Sequence, residues 1–247
     1  MSSSTEPINN PPSFYEKEFP NPWMMSNWEK HSFISIVQQL KPEVAIEIGN
    51  AEGGSLQVLN KLVPKVYALD LYEEVHQKLQ PQFSNAEFHT GDSKQILPVL
   101  LKSIQEKNEK LGLVLIDGDH STEGVKADIN AVLENYIPVT TLIILFHDSF
   151  NPECRQGIIE ANWQACPYVH FIDVDYVPGT YVDDVQNDKL QKNTMWGGLS
   201  LAILQPQKRE HQLEVKQTAK DLYEQAFKGS FYNTIHYRIR KLFPKKH

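Results

Sequence analysis

Seven short apolar runs, most of them separated by stretches of helical periodicity, constrain this chain more than any other feature. They are Val44–Ile48, Lys65–Leu69, Ala86–His89, Leu113–Ile116, Thr141–Phe146, Val169–Val174 and Leu199–Leu204. Strands that alternate with helices cannot be joined by tight hairpins. Neighbours therefore run parallel, and helices cover both faces of the sheet. The expected fold is α/β, a doubly wound and mostly parallel seven-stranded sheet. Between Leu69 and Ala86 there is room only for a short helix. Ahead of the first strand, Trp28, Phe33, Ile36, Val37 and Leu40 recur at helical spacing. Ser26 or Asn27 is placed to cap that helix, and Pro42 ends it.

A chain of 247 residues can bury one large core. Residues 1–22, rich in Ser, Asn and Pro, read as a flexible arm, with Trp23-Met24-Met25 as a docking segment. Residues 23–207 read as the main domain, and 208–247 as a basic helical tail packed on or beside it. The polar insert Asp175–Met195 reads either as a lid over a substrate or as a subunit contact that makes a homo-oligomer. Charge is uneven along the chain. Residues 208–247 carry 10 Lys/Arg against 4 Asp/Glu, whereas the whole chain has a net charge of −7. The strongly acidic body repels a phosphate backbone and argues against nucleic acid as substrate. The tail reads as a solvated helix, or as a contact for an anionic surface. No apolar run is long enough to span a membrane, and Met1–Glu6 lacks the features of a secretion signal, so a cytoplasmic setting is expected. Cys154 and Cys166 have neither disulfide nor zinc spacing and read as ordinary thiols.

In an open parallel sheet, ligands bind beyond the carboxyl ends of the strands. The first such end reads Glu47-Ile48-Gly49-Asn50-Ala51-Glu52-Gly53-Gly54-Ser55. Gly49 permits a sharp turn, while Gly53 and Gly54 allow close approach to the backbone. A dinucleotide fingerprint would need glycine where Ala51 stands, because that glycine admits a pyrophosphate. S-adenosylmethionine has no pyrophosphate. Glu47 can face its ammonium, and Ser55 its carboxylate. Asp70, at the second strand end, is placed for the ribose hydroxyls. Asp92, at the third, is placed for the adenine amino group.

Three further runs carry a resemblance: Leu115-Ile116-Asp117-Gly118-Asp119-His120-Ser121 followed by Glu123-Gly124-Val125, then Phe146-His147-Asp148-Ser149, and a weaker Gly197-Gly198-Leu199. Together with Glu47-Ile48-Gly49, they resemble the class I S-adenosylmethionine-dependent methyltransferases. The nearest group is the small-molecule O-methyltransferases with macrolide-sugar and cephalosporin hydroxylase-like members. The resemblance implies a Rossmann-like fold, an S-adenosyl-L-methionine site that includes Asp117, a divalent metal (Mg²⁺ or Mn²⁺) at Asp117 and Asp148, and His120 as general base. Relatives often carry two adjacent acids where this chain has His147-Asp148. Imidazole suits Mn, Fe or Zn better than Mg. His147 is thus a metal ligand, a second base or a hydrogen-bonded loop residue. Asp119, His120 and Ser121 have a plainer reading as caps of the helix beginning near Thr122.

These residues would methylate a hydroxyl of a small metabolite such as a sugar, polyketide or phenol. A hydroxyl is a poor nucleophile until it loses its proton, which a base and a metal can arrange. Two other classes compete: a cofactor-binding scaffold without turnover, and an NAD-dependent oxidoreductase, which Ala51 disfavours.

Overall fold

The computed structural model describes residues 17–182 and 194–228. In chain order the elements are α1 (Asn27–Leu40), β1 (Val44–Ile48), α2 (Gly54–Leu62), β2 (Lys65–Asp70), α3 (Glu73–Leu79), β3 (Ala86–Thr90), α4 (Ser93–Glu106) and β4 (Leu111–Ile116). They continue as α5 (Thr122–Asn135), β5 (Leu142–His147), α6 (Pro152–Glu160), β6 (Val169–Val177), β7 (Thr180–Val182), β8 (Thr194–Trp196), β9 (Leu199–Leu204) and α7 (Lys220–Phe227). The main sheet has seven strands in the order β3-β2-β1-β4-β5-β9-β6. β1 pairs in parallel with both β2 and β4, and β9 lies antiparallel between β5 and β6. Strand order therefore reverses between β1 and β4, where a crevice opens at the carboxyl ends.

Side-chain alternation assigns the two faces. Val44, Ile46 and Ile48 of β1 pack with Leu97, Leu101, Ile129 and Val132 from α4 and α5. Ala45 of the same strand packs in the second core, with Phe33, Val37, Leu56 and Leu59 from α1 and α2. Successive residues of a strand point to opposite faces, and here both faces are covered. Glu47 shares the orientation of Ala45, so a carboxylate is directed into the α1–α2 core. Ser26 caps α1 with a reciprocal capping box, its hydroxyl accepting from Glu29 N–H while the Glu29 carboxylate accepts from Ser26 N–H.

The edges of the molecule differ from expectation in three ways. Docking of the N-terminal segment starts at Phe19, which is buried and meets Trp23 edge-on. Asn21 N–H donates to Gln57, which ties this segment to α2. The remainder of the expected arm, residues 1–16, lies outside the described residues. Second, the insert is not a plain loop. β6 runs on to Val177, and Thr180–Val182 pairs antiparallel with Thr194–Trp196 as a small ribbon. Asp175 carries the strand beyond the expected Val174 because Arg155 and Ala219 N–H donate to it, while Thr218 donates to Asp173 within the expected run. Third, the segment after residue 208 is stitched to the sheet. Lys216 N–H donates to Ile172 C=O, Val174 N–H donates to Lys216 C=O, and Tyr223 stacks over Arg155. The rest of the tail, with Tyr232, Tyr237, Phe243 and the basic cluster, lies outside the described residues. No helix among the described residues is long and apolar enough to cross a membrane.

Candidate active site

A cavity of about 790 Å³ opens at the carboxyl ends of β1, β2, β3 and β4. Its lining includes Gly49, Asn50, Ser55, Asp70, Asp92, Asp117 and His120, with Trp23, Met24 and Met25 of the N-terminal segment on one side. The switch point is tight. Gly49 has φ of 85°, and a Cβ there would sit 2.1 Å from the Asp117 carbonyl oxygen. Only glycine lets the turn after β1 pass the end of β4 this closely. Asp117 N–H donates to Ile48 C=O at 2.8 Å, so β1 and β4 stay paired up to the crevice.

On the β1–β3 side, carboxylates are held by main-chain donors. Asp70 Oδ2 accepts from Asn50 N–H at 2.9 Å, and its Oδ1 accepts from Tyr72 N–H at 3.0 Å. Asp92 caps α4 by accepting from Lys94 N–H. Ala51 adopts left-handed backbone with φ of 44°. Ser55 donates to Glu47, whose second oxygen is buried without a hydrogen bond, as is the amide nitrogen of Asn50. Burial pushes the Glu47 carboxyl up to about 8, with Asp117 and Asp70 adding to the effect. Glu47 lies behind the cavity wall, not on it. Gly53 likewise faces Leu79, Phe83 and Asn21 and is absent from the lining; Gly54, packed under Pro22 and Trp23, is the glycine that lines the cavity.

On the β4–β5 side, the contacts run between side chains. His120 Nε2 lies 3.2 Å from Asp117 Oδ1, and its Nδ1 lies 3.2 Å from Asp148 Oδ2. His147 Nδ1 also meets Asp117 Oδ1, at 3.1 Å, while its Nε2 lies 3.0 Å from Glu29 Oε1. The last is an ion-pair contact without the alignment of a full hydrogen bond. Two rings are thus threaded between three carboxylates. The Asp117 hydrogen bond, partly opposed by burial, raises the His120 pKa. Burial alone would depress His147, but Asp117, Glu29 and Asp148 outweigh it and raise the ring well above its ordinary value. Burial pulls the other way on Asp117, whose carboxyl is nevertheless held low by His147 and His120. For Asp148, burial wins and the carboxyl is raised. Ligand atoms of Asp117, His147 and Asp148 lie within 4.8 Å of one another, close enough to share one ion. Asp148 holds left-handed backbone, φ 58°, which turns its carboxylate back toward β4.

The plainer reading of the loop after β4 holds for two residues and not for the third. Ser121 caps α5 by accepting from Gly124 N–H, and Asp119 accepts from Ser121 N–H. His120, between them, turns its ring to Asp117 and Asp148. Glu29 was missed. Its one signal in the sequence is the Ser26-x-x-Glu29 capping box, which says nothing of His147. Cys154 and Cys166 are buried free thiols, and burial raises both above the ordinary cysteine value.

The comparisons with known proteins bear on the fold that carries this site. A family model described as "Methyltransferase domain" matches residues 46–149. Among solved structures, the O-methyltransferase TomG from Streptomyces achromogenes, in complex with SAM, shares 14% identity at a TM-score of 0.53, covering 77% of this chain and 86% of that one. An O-methyltransferase from Bacillus cereus with SAH gives 17% identity and a TM-score of 0.53, covering 80% of this chain and 94% of that one. The mycinamycin-pathway methyltransferase MycE, with Mg, SAH and mycinamycin VI, gives 14% identity and 0.52, covering 78% of this chain and 54% of that one. No curated protein matches the sequence. Residues 46–149 match a methyltransferase-domain model, and the sheet around them has the class I methyltransferase fold.

Proposed function

We propose that this protein transfers a methyl group from S-adenosyl-L-methionine to a hydroxyl of a small molecule (a sugar, polyketide or phenol), with His120 as general base. The observation that carries this reading is His120 itself, at the rim of the cavity, with Nε2 hydrogen-bonded to Asp117 and Nδ1 3.2 Å from Asp148. With Nε2–H donating to Asp117, the neutral ring keeps its Nδ1 lone pair to receive the proton of a hydroxyl entering from the β4–β5 side. The cavity suits the cofactor. Asp70 presents its carboxylate at the second strand end, Asp92 stands at the third, and the unpaired Asn50 amide and Glu47 oxygen lie near the methionine end. The sulfonium supplies the methyl group. Ser55 lines the cavity and links it to Glu47 behind the wall, and Gly49 and Gly53 shape the turn.

Two carboxylates and one imidazole are a fitting donor set for a divalent ion, and we assign Asp117, His147 and Asp148 to hold it. Such an ion supplies positive charge that acidifies the acceptor hydroxyl and offsets the hold of the acids on the His120 proton. The acidic body keeps nucleic acids away, which fits a small acceptor in a cytoplasmic setting.

Isothermal titration of the full chain with S-adenosyl-L-methionine tests the reading at its base. Saturable binding is expected; no heat at millimolar cofactor, or NAD binding in its place, overturns it. Methyl transfer to a hydroxyl acceptor should then vanish in His120→Ala while cofactor binding persists. Full turnover in that variant removes His120 from the chemistry.

A further inference from the structure

One ring in the β4–β5 cluster sets it apart from an all-oxygen site, and one carboxylate from a distant helix explains how that ring is held. The His147 side chain is 6% exposed and the Glu29 side chain 3%. Nδ1 of His147 faces the two acids, 3.1 Å from Asp117 Oδ1 and 3.9 Å from Asp148 Oδ2. Nε2 faces away from them, toward Glu29 Oε1. Glu29 is itself immobilised by two main-chain donors: Oε2 accepts from Ser26 N–H at 2.7 Å, and Oε1 accepts from Gly198 N–H at 2.6 Å. A carboxylate fixed in this way cannot swing into the cluster as a ligand. It stands as the acceptor beside Nε2, 3.0 Å away and short of full alignment, while Nδ1 is paired with Asp117 Oδ1; with a cation between the acids and Nδ1, the proton would stay on Nε2 and the Nδ1 lone pair would face the ion. A histidine ligand whose far nitrogen donates to a carboxylate is oriented and made more basic by it.

Resting on the metal-assisted reading above, we propose that Glu29 is a positioning residue that presents His147 as a nitrogen ligand, so that the site selects a first-row transition dication such as Mn²⁺ over Mg²⁺. Magnesium favours oxygen donors and gives up water reluctantly. First-row transition dications accept imidazole beside carboxylates, and manganese, the weakest binder of that series, is the most stringent test of the preference. The neighbouring acids alone would not make this distinction, because Asp117 and Asp148 offer oxygen to either ion.

The test is calorimetric titration of the metal-stripped full chain with Mn²⁺ and with Mg²⁺, without cofactor. Mn²⁺ should bind at least about tenfold more tightly. Equal affinities, tighter Mg²⁺, or no binding of either ion overturns the proposal. Glu29→Gln should weaken Mn²⁺ by about tenfold to a hundredfold and leave Mg²⁺ nearly unchanged. Wild-type Mn²⁺ affinity in that variant rejects Glu29 as the positioning residue. His147→Asp should shift preference toward Mg²⁺, and a retained Mn²⁺ preference overturns the assignment of the nitrogen ligand. Should either variant fail to fold, nitrogen NMR of the wild type loaded with Zn²⁺ decides: a protonated Nε2 and metal-bound Nδ1 support the proposal, and the reverse defeats it. Cofactor titration of the same samples separates this outcome from failure of the methyltransferase reading.

Discussion

The two sides of the crevice are built differently. On the β1–β3 side, Asp70 and Asp92 are held by backbone N–H groups of nearby turns, and Gly49 and Gly54 let segments pass closely. On the β4–β5 side, Glu29, Asp117, His120, His147 and Asp148 hold one another through their side chains. A site made from backbone depends on chain path and tolerates little change in conformation. A site made from side chains depends on charge balance and tolerates little change in chemistry. The first arrangement suits a ligand of constant shape; the second suits proton and metal chemistry.

The harshest way to break this division is at its seam. Gly49→Ala places a methyl group 2.1 Å from the Asp117 carbonyl oxygen at a positive φ. The clash is with backbone, so β1 and β4 must separate. We expect more than about 4 kcal/mol of destabilisation, measured by urea denaturation; a loss below about 1 kcal/mol would mean the seam can relax.

Paired substitutions sharpen the contrast. His120→Ala should lower kcat by about a hundredfold or more and leave cofactor affinity almost unchanged. Asp70→Ala should weaken cofactor binding by about tenfold to a hundredfold and leave metal binding alone. Calorimetry of both ligands on both variants measures the cross-effects. Large ones would show that the two sides act as one network.

A subtler effect follows from Glu47. Its carboxyl is pushed up to about 8 in the folded protein, against an ordinary value of 4.5. The unfolded chain releases this proton first, so the contribution of Glu47 to stability is full below the ordinary value and is lost as pH rises through the folded one. Glu47→Gln should flatten the decline between those pH values, and denaturation at pH near each end reads it. An unchanged slope would show that Glu47 is ionised in the fold. Smallest of all, Ala51→Gly should relieve left-handed backbone and stabilise the protein by up to about 1 kcal/mol. Thermal melting checks this, and a lower melting temperature would mean that the extra chain entropy of glycine outweighs the relief.

Reading the sequence worked best where structure is local. β1 and β9 begin and end at the expected residues, because their apolar runs are bounded by Glu43 and Gly49 and by Gly198 and Gln205. β4 starts two residues early, at Leu111, because Gly112 interrupts the apolar run although Pro42 packs against it. β6 extends past the expected Val174 to Val177, through Asp175, which looks like a loop residue until Arg155 and Ala219 N–H are known to meet it. The same limit governs the site. Asp117, His120, His147 and Asp148 stand in the two runs after β4 and β5 that carry the family resemblance, and the resemblance picks them out. Glu29 could not be picked out, since its capping role is written in four consecutive residues and its contact with His147 is written nowhere. Gly53 misled for the opposite reason, because two adjacent glycines look alike in sequence and only the path of the chain decides which one faces the cavity.

The bond from Gly198 N–H to Glu29 joins residues 169 positions apart. Its consequence is temporal. During synthesis, the first helix and the loops after β4 and β5 emerge long before the antiparallel strand β9. Glu29 therefore waits, without one of its two anchors, until nearly the last strand has left the ribosome and inserted between its neighbours. The centre is completed by the final stage of folding, so a truncated or half-made chain ending before Gly198 would carry the recognisable residues and still lack the arrangement that gives them their task.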